Sequence, residues 1–137
     1  MQRKLITDVS HNRGNFKTLY QKSKFLKEIK QVSTSVTYPG VIKAFHKHKK
    51  QTDIWYVVSG DVWAITYDEF TNTKREFFLG ENSNDDILVI PPNTWHGYKV
   101  LGNKPATMLY LLDQEYDPDD EIREKYDRYS KWKIMNK

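Results

Sequence analysis

Three histidines and one aspartate stand at spacings that could build a reactive site. His46 and His48 are two residues apart, Asp53 follows five residues later, and His96 comes directly after a proline-rich turn. A neutral imidazole can remove a proton near neutral pH, and imidazoles with a carboxylate can also hold Fe, Mn, Ni or Zn. Because two histidines on one face can equally be a polar patch on an edge strand, the residue types leave three hypotheses open: proton transfer, metal binding and a structural patch.

Short apolar segments separated by turns must position these side chains. Gly and Pro mark turns at Pro39-Gly40, Ser59-Gly60-Asp61, Gly80-Glu81-Asn82-Ser83-Asn84 and Pro91-Pro92-Asn93. The segments between them are rich in β-branched and aromatic residues, which predicts strands at Val41–His48, Ile54–Ser59, Asp61–Tyr67, Arg75–Leu79, Ile87–Ile90, Gly97–Leu101 and Ala106–Leu112. Short, regularly spaced strands favour an all-β fold, either a closed barrel or a jelly roll.

The first predicted strand should direct both of its histidines to one side. Alternate residues of a strand face the same way, so His46 and His48 share a face. The alternation that buries Ile42 and Ala44 would bring both histidines into the interior of the barrel.

The C-terminal part of the chain has a different pattern. Asp117-Pro118-Asp119-Asp120 resembles the acidic first turn of a helix, which predicts a short helix over Glu121–Trp132. We find no linker-like segment, so we expect residues 1–137 to form one domain.

Charge is distributed unevenly along the 137 residues. The net charge is +4, but residues 1–50 hold 12 Lys and Arg against 2 Asp and Glu, whereas residues 51–137 hold 10 against 16. The basic first third favours an anionic partner such as a nucleic acid, a membrane surface or a phosphorylated small molecule. Alternatively, Lys22, Lys24, Lys27 and Lys30 form only a solvated face.

Composition excludes several classes of protein. The absence of cysteine excludes a disulfide scaffold and any thiolate metal site. No apolar run approaches the roughly 18 residues that a membrane helix needs, and the first residues lack the apolar segment of a secretory signal. The basic residues are not interleaved with aromatics as in a nucleic-acid-binding module. We therefore expect a cytoplasmic protein with neither a nucleic acid nor a membrane as partner.

Two histidine-containing segments resemble the motifs of the cupin superfamily. Gly40, His46-x-His48, Asp53 and Gly60 follow the first motif with Asp in place of the usual Glu. Pro91-x-Asn93-x-x-His96 follows the second with Asn in place of the usual Gly. The resemblance implies a cupin-type jelly-roll β-barrel, in which His46, His48, Asp53 and His96 could serve as metal ligands.

Residues 11–129 resemble a narrower group, the short members of the dTDP-4-dehydrorhamnose 3,5-epimerase family. The resemblance rests on several motifs in the order of the family: Asn12-Arg13-Gly14-Asn15-Phe16, Gly40-Val41-Ile42-Lys43-Ala44-Phe45-His46, Val58-Ser59-Gly60-Asp61-Val62, Ile90-Pro91-Pro92-Asn93-Thr94-Trp95-His96-Gly97-Tyr98, and Leu109-Tyr110 through Tyr116-Asp117-Pro118. The segment Lys43-Ala44-Phe45-His46-Lys47-His48 also resembles an element of the related sugar-nucleotide 3,4-ketoisomerases.

The resemblance implies a chemistry and a set of roles. The substrate would be a nucleoside-diphospho-4-keto-6-deoxy sugar, dTDP-linked by the family name, in deoxysugar or surface polysaccharide biosynthesis. The C4 carbonyl acidifies the hydrogens on C3 and C5, His46 would act as the base and Tyr110 as the acid, and no cofactor or metal is needed. The substrate-binding residues would be Arg13, Phe16, Gln31, Lys43, His48, Asp53, His96, Tyr98 and Tyr116.

The resemblance also implies assembly as a homodimer in which N-terminal strands cross to the partner and Arg13 reaches a site. Apolar residues that could form such a strand are Leu5, Ile6, Val9, Phe16 and Leu19.

Some positions depart from the family pattern. Lys43 replaces an arginine, Asp53 stands where a lysine is expected, and His48 replaces a glutamine and could donate to the enolate in place of that lysine. The acidic residue that orients the base has no counterpart, and Asp53 could replace it. These departures leave C3 or C5 epimerisation, 3,4-ketoisomerisation, a metal-dependent cupin and a non-catalytic sugar-binding protein open.

Overall fold

A computed structural model describes residues 2–4, 7–11, 14–20, 28–85, 87–130 and 132. Arg13 and three of the four basic-face lysines, Lys22, Lys24 and Lys27, lie outside the described residues. The strands are β1 (Gln2–Lys4), β2 (Thr7–His11), β3 (Gly14–Thr18), β4 (Gln31–Thr37), β5 (Ile42–His48), β6 (Asp53–Ser59), β7 (Asp61–Asp68), β8 (Thr73–Gly80), β9 (Ile87–Ile90), β10 (Trp95–Leu101), β11 (Ala106–Leu112) and β12 (Glu121–Arg123).

Two five-stranded antiparallel sheets face each other. The first has the order β1-β9-β6-β11-β4 and the second the order β12-β5-β10-β7-β8, while β2 and β3 form a separate hairpin. From β4 to β12 the chain alternates between the two sheets except at the β7–β8 hairpin, as in a jelly roll. The predicted all-β jelly roll is therefore confirmed, and all seven predicted strands are present.

The main core lies between the two sheets and is closed by aromatic and aliphatic side chains from both. Its buried members are Trp55, Val57, Val62, Ala64, Phe77, Leu79, Leu88, Ile90, Tyr98, Val100, Ala106 and Met108. A tight turn at Gly60 joins β6 to β7: its φ is +85°, and a Cβ there would lie 2.5 Å from the carbonyl oxygen of Pro105. This turn holds the sheets together at the end of the barrel away from the histidines.

The predicted C-terminal helix over Glu121–Trp132 is wrong. A 3₁₀ helix spans Pro118–Asp120, and the chain then forms β12, which pairs with the outer edge of β5. The buried Asp120 carboxylate accepts backbone N–H bonds of 3.0 to 3.3 Å from Lys49, Lys50 and Gln51. β12 therefore pairs with the backbone groups on the open edge of β5, and the Asp120 carboxylate pairs with the backbone N–H groups of the turn after β5. A helix over this segment would have left both sets of groups unpaired.

Among the described residues, we find no helix of the length and apolarity that a membrane crossing requires.

Candidate functional site

The three histidines of the motifs form one cluster at the mouth of the barrel. β5 supplies His46 and His48, and β10 supplies His96, which pairs directly with His46 across the two strands. The ring of His96 lies 4.2 Å from that of His46 and 5.6 Å from that of His48, measured between centroids. One ring nitrogen from each histidine lies within 4.8 Å of the other two. The sequence prediction that these residues meet is therefore confirmed by the geometry.

A bulge in β5 turns the two histidines inward. On β10, His96 and Tyr98 are two positions apart, whereas their partners on β5, His46 and Lys43, are three positions apart. The extra residue reverses the alternation of the strand. Lys43, His46 and His48 consequently face the interior cavity, described below.

The reversal corrects the predicted alternation of β5. Ile42 and Ala44 do not share the histidine face, because they pack with Phe45 and Trp132 on the opposite side of the sheet. The close approach of β10 requires Gly97, where a Cβ would lie 2.3 Å from the Cβ of Ala44.

Burial keeps His46 and His96 neutral. The pKa of His96 is lowered from 6.5 to about 3 mainly by burial, against the raising effect of its hydrogen bond to Thr94 and with a smaller lowering contribution from His48. The pKa of His46 is lowered to about 3 by burial and by the neighbouring His96 and His48, against the pull of Glu121 and Asp53. Both imidazoles are uncharged at neutral pH, and each carries one nitrogen lone pair that can accept a proton.

The tautomer of His96 is fixed by the main chain. Its Nδ1 lies 2.8 Å from the carbonyl oxygen of Thr94, which can only accept a hydrogen bond, so Nδ1 carries the proton. The lone pair of Nε2 then points away from the backbone, and neither this atom nor Nδ1 of His48 has a hydrogen-bond partner among the described residues. These two buried nitrogens are available to a ligand.

Asp53 is buried beside the cluster and is held by its own strand. Its carboxylate accepts hydrogen bonds from Nε2 of Gln51 at 2.6 Å and from Nε1 of Trp55 at 3.3 Å. Its Oδ2 lies 4.0 Å from Nε2 of His96, which is beyond hydrogen-bond distance. The carboxylate therefore acts on the imidazoles through its charge, and the proposed orientation of His46 by Asp53 stays a prediction.

Two tyrosines from different sheets complete the walls of the site: Tyr98 lies on β10, the strand of His96, whereas Tyr110 lies on β11 in the opposite sheet. The phenol oxygen of Tyr110 lies 3.1 Å from that of Tyr98 and 2.7 Å from Oγ of Ser35. The indole of Trp55 packs edge-on against both phenol rings and against His96, which joins the two walls. Burial, together with the charge and hydrogen bond of Tyr98, raises the pKa of Tyr110. Tyr110 is consequently a protonated phenol at neutral pH.

A cavity of about 240 Å³ lies between these walls. Eight of the predicted site residues line it: Gln31, Lys43, His46, His48, Asp53, Tyr98, Tyr110 and Tyr116. His96 does not line the cavity, although the centroid of its ring lies 4.2 Å from that of His46. Phe16, on β3, is 66% exposed and does not line the cavity either. The predicted role of Phe16 stays a prediction, as does that of Arg13, which is outside the described residues.

The amino-acid sequence of the chain matches that of known proteins. The sequence profile of the family described as dTDP-4-dehydrorhamnose 3,5-epimerase matches residues 4–130. The chain is 41% identical over 126 residues to the spore coat polysaccharide biosynthesis protein SpsL of Bacillus subtilis, covering 86% of this chain and 83% of SpsL. The chain belongs to the dTDP-4-dehydrorhamnose 3,5-epimerase family.

Two further comparisons support this family and its fold. A probable low-salt glycan biosynthesis epimerase, Agl13 of Haloferax volcanii, is 35% identical over 97 residues, covering 66% of this chain and 62% of Agl13. The crystal structure of a dTDP sugar isomerase from Desulfovibrio desulfuricans superposes with a TM-score of 0.83 at 21% identity, covering 93% of this chain and 85% of that one. The family resemblance stated from the motifs is confirmed.

Five residues of this family member's cavity were not predicted as site residues. They are Ser33, Gln51, Trp55, Leu112 and Glu121. Strand alternation could have found Trp55, two residues after Asp53, and Ser33, two residues after Gln31. No sequence signal pointed to Glu121, because it lies in the segment predicted to be helical.

Glu121 supplies a second carboxylate on the cavity rim. The pairing of β12 with β5 places it opposite His48, and its Oε2 accepts hydrogen bonds from the Tyr116 hydroxyl at 3.1 Å and from Nη2 of Arg123 at 2.9 Å. The negative charge of Glu121 raises the pKa of His46 more than the negative charge of Asp53 does. Glu121 is therefore a second acidic side chain, in addition to Asp53, whose charge acts on His46.

Proposed function

We propose that this chain is an epimerase of a dTDP-linked 4-keto-6-deoxy sugar, in which His46 is the base and Tyr110 is the acid. The observation that carries the proposal is the cavity itself, where a neutral imidazole on one wall faces a protonated phenol on the other. A base and an acid on opposite sides of a sugar ring are what inversion at a carbon requires.

The reaction follows from these two protonation states. The C4 carbonyl of the sugar acidifies the hydrogen on the adjacent carbon, and the lone pair of His46 takes that proton while the electron pair moves into an enolate. The phenol of Tyr110 then gives its proton to the same carbon from the other face, and the carbonyl reforms. The buried lone pair of His46 has a low proton affinity in the free protein, and the charges of a bound diphosphate and of the enolate raise it at the moment of transfer.

The cavity also contains groups suited to hold the substrate. Lys43 offers a cation for a diphosphate oxygen, and Gln31 and Tyr116 form one rim, where the Gln31 side-chain oxygen accepts a hydrogen bond of 2.7 Å from the Tyr116 backbone. His48, with its unpartnered Nδ1, is placed to bond a sugar hydroxyl or the C4 oxygen.

We further propose that the protein is a cytoplasmic homodimer. β4 is the end strand of its sheet among the described residues, and its outer face exposes Val32 and Val36, each 59% accessible. An apolar face beside an open strand edge is a surface that a second copy would cover.

A metal-dependent reaction is the second candidate, and one observation favours it. The ring nitrogens of His46, His48 and His96 converge within 4.8 Å, and the unpartnered Nε2 of His96 is oriented by its bond to Thr94 in the way that metal-bound histidines commonly are. A divalent metal held there would polarise the sugar carbonyl. Stoichiometric metal in untagged protein, lost on substitution of His96 by Ala, would support this candidate.

Proton NMR of dTDP-4-keto-6-deoxyglucose with the protein in deuterated water tests the proposal. We expect loss of the C3 or C5 hydrogen signal and appearance of an epimer. A 3,4-ketoisomerase would instead yield a sugar with the carbonyl at C3. A protein that binds dTDP but exchanges no hydrogen would be a non-catalytic sugar-binding member and would contradict the proposal.

A further inference from the structure

The phenol of Tyr110 is one of four hydroxyl groups joined by hydrogen bonds. Its oxygen lies 2.7 Å from Oγ of Ser35 and 3.1 Å from the hydroxyl of Tyr98, and the Tyr98 hydroxyl lies 2.9 Å from Oγ1 of Thr37. Ser35 and Thr37 are two residues apart on β4, so both face the barrel interior. Tyr98 and Thr37 are each only 3% exposed, which holds this end of the chain of hydroxyls in the core.

The hydrogen bonds can be ordered in a direction that suits an acid. Thr37 donates to Tyr98, and Tyr98 and Ser35 both donate to Tyr110, so the phenol oxygen accepts two bonds and its own proton is left for the cavity. The competing acceptor is the thioether of Met108 at 3.7 Å, which is a weak one. Burial disfavours the phenolate that forms when Tyr110 gives up its proton, and the hydrogen bond from Ser35 offsets part of this cost because it lowers the pKa of Tyr110.

We propose that Ser35 and Tyr98, the latter held by Thr37, are positioning residues for the acid half of the reaction. Their hydrogen bonds orient the Tyr110 hydroxyl toward the cavity, and the Ser35 hydroxyl also stabilises the phenolate left behind. This inference rests on the proposed function. The proton that Tyr110 loses to the enolate is restored from water, directly or through the Ser35 hydroxyl, and the proton taken by His46 leaves to water, so the protein ends each cycle unchanged.

A defect in proton donation by Tyr110 can be measured separately from proton removal by His46. After His46 removes the substrate proton, its imidazolium exchanges with deuterated water and can return a deuteron to the same face, which gives exchange with retention of configuration. Inversion requires Tyr110. Weakening the donors on Tyr110 should therefore slow formation of the epimer while wash-in of deuterium into the original sugar continues.

The variants Ser35→Ala, Tyr98→Phe and Thr37→Val test the inference, with Thr34→Val as the matched control. Thr34 lies on the same strand but is exposed, and its hydroxyl donates to the Met108 carbonyl oxygen at 2.8 Å. Each variant is incubated with dTDP-4-keto-6-deoxyglucose in deuterated water, and NMR gives the rate of deuterium wash-in and the rate of inversion. Circular dichroism melting confirms that each variant folds.

We expect the ratio of wash-in to inversion to rise about tenfold or more in Ser35→Ala, the effect of a lost hydrogen bond to a charged oxygen. The ratio should also rise in Tyr98→Phe, because the Tyr110 hydroxyl loses one of the two groups that orient it. It should rise less in Thr37→Val and stay unchanged in Thr34→Val. A general loss of structure would lower both rates together and leave this ratio unchanged. Equal loss of both rates, or no loss, in the folded variants overturns the inference, whereas a wild-type protein with neither activity would instead refute the proposed function.

Discussion

His46 is the residue whose loss separates binding from chemistry. We propose that His46 removes the sugar proton, whereas other groups of the cavity, such as Lys43, hold the nucleotide. We predict that His46→Asn lowers the rate of hydrogen exchange by at least about 100-fold, the lower range for a general base. Binding of dTDP, measured by calorimetry, should change little.

The same substitution at the fourth histidine, His11→Asn, serves as the control, because His11 lies outside the motifs of the site. Full exchange activity in His46→Asn would show that another group is the base. Equal losses in both variants would show that the effect is not specific to the cavity.

His96 makes a prediction about stability at acid pH. Its folded-state pKa of about 3 lies below the 6.5 of an ordinary histidine, so between these values the unfolded chain binds more protons than the folded one. The contribution of His96 to the free energy of unfolding is therefore fully present above pH 6.5 and falls by about 1.4 kcal/mol for each pH unit below it.

Urea unfolding between pH 7 and pH 4.5 measures this dependence. We predict a shallower decline of the free energy of unfolding in His96→Asn than in the wild type. Parallel declines would show that the pKa of His96 is the same in the folded and the unfolded protein.

At the scale of elements, the bulge where β5 meets β10 determines which residues face the cavity. Gly97→Ala would place a Cβ 2.3 Å from the Cβ of Ala44 and 2.7 Å from its Cα. We predict that this change lowers the free energy of unfolding by about 1–3 kcal/mol, as overpacking usually does. It should also slow hydrogen exchange, since His46 is the direct partner of the neighbouring His96.

Ala44→Gly removes the nearest of the three atoms that a Cβ at position 97 would approach within 3.0 Å, and it provides the matched test of this mechanism. In urea unfolding, the double variant should recover part of the stability lost in Gly97→Ala beyond the sum of the single effects. Strict additivity would indicate that the contact between the two strands does not limit the substitution.

The bulge also explains why the side-chain alternation predicted for β5 was wrong. The segments Ile87–Ile90 and Ala106–Leu112 match their predicted bounds because apolar and β-branched residues fill them. Within β5, however, alternation assigned Ile42 and Ala44 to the histidine face, since one inserted residue leaves no mark in the hydrophobic pattern. Gly97, the first residue of the predicted strand Gly97–Leu101, is the sequence feature that marks this close approach.

β4 was not predicted because its pattern is inverted. Ser33 and Ser35 face the interior, where their hydroxyls bond to Gln31 and Tyr110, while Val32 and Val36 face outward. The expected pattern for a barrel strand has apolar residues inward and polar residues outward, so the opposite pattern of β4 does not predict a strand. The meeting of His46, His48, Asp53 and Tyr110 at one cavity could be foreseen from the motifs, whereas Glu121 depended on a pairing of β12 that the acidic helix signal obscured.

At the scale of the whole molecule, the exposed face of β4 predicts assembly. Val36→Glu should convert the proposed dimer to a monomer, because a charge would be buried against the partner. Light scattering after size exclusion at micromolar concentration measures the mass. Phe70→Glu is the control, as Phe70 is 81% exposed on the turn between β7 and β8.

A monomeric wild-type protein would contradict the proposed dimer. A dimer that persists in Val36→Glu would place the interface elsewhere on the molecule.

The central claim is that the cavity transfers protons with its own imidazole and phenol. The most direct test is the rate of deuterium incorporation into dTDP-4-keto-6-deoxyglucose by untagged protein that has been dialysed against EDTA and shown by elemental analysis to be free of metal. We predict the same rate of exchange at C3 or C5 as before dialysis. Exchange that disappears with the metal and returns when a stoichiometric divalent cation is added would contradict the account and assign His46, His48 and His96 to a metal centre.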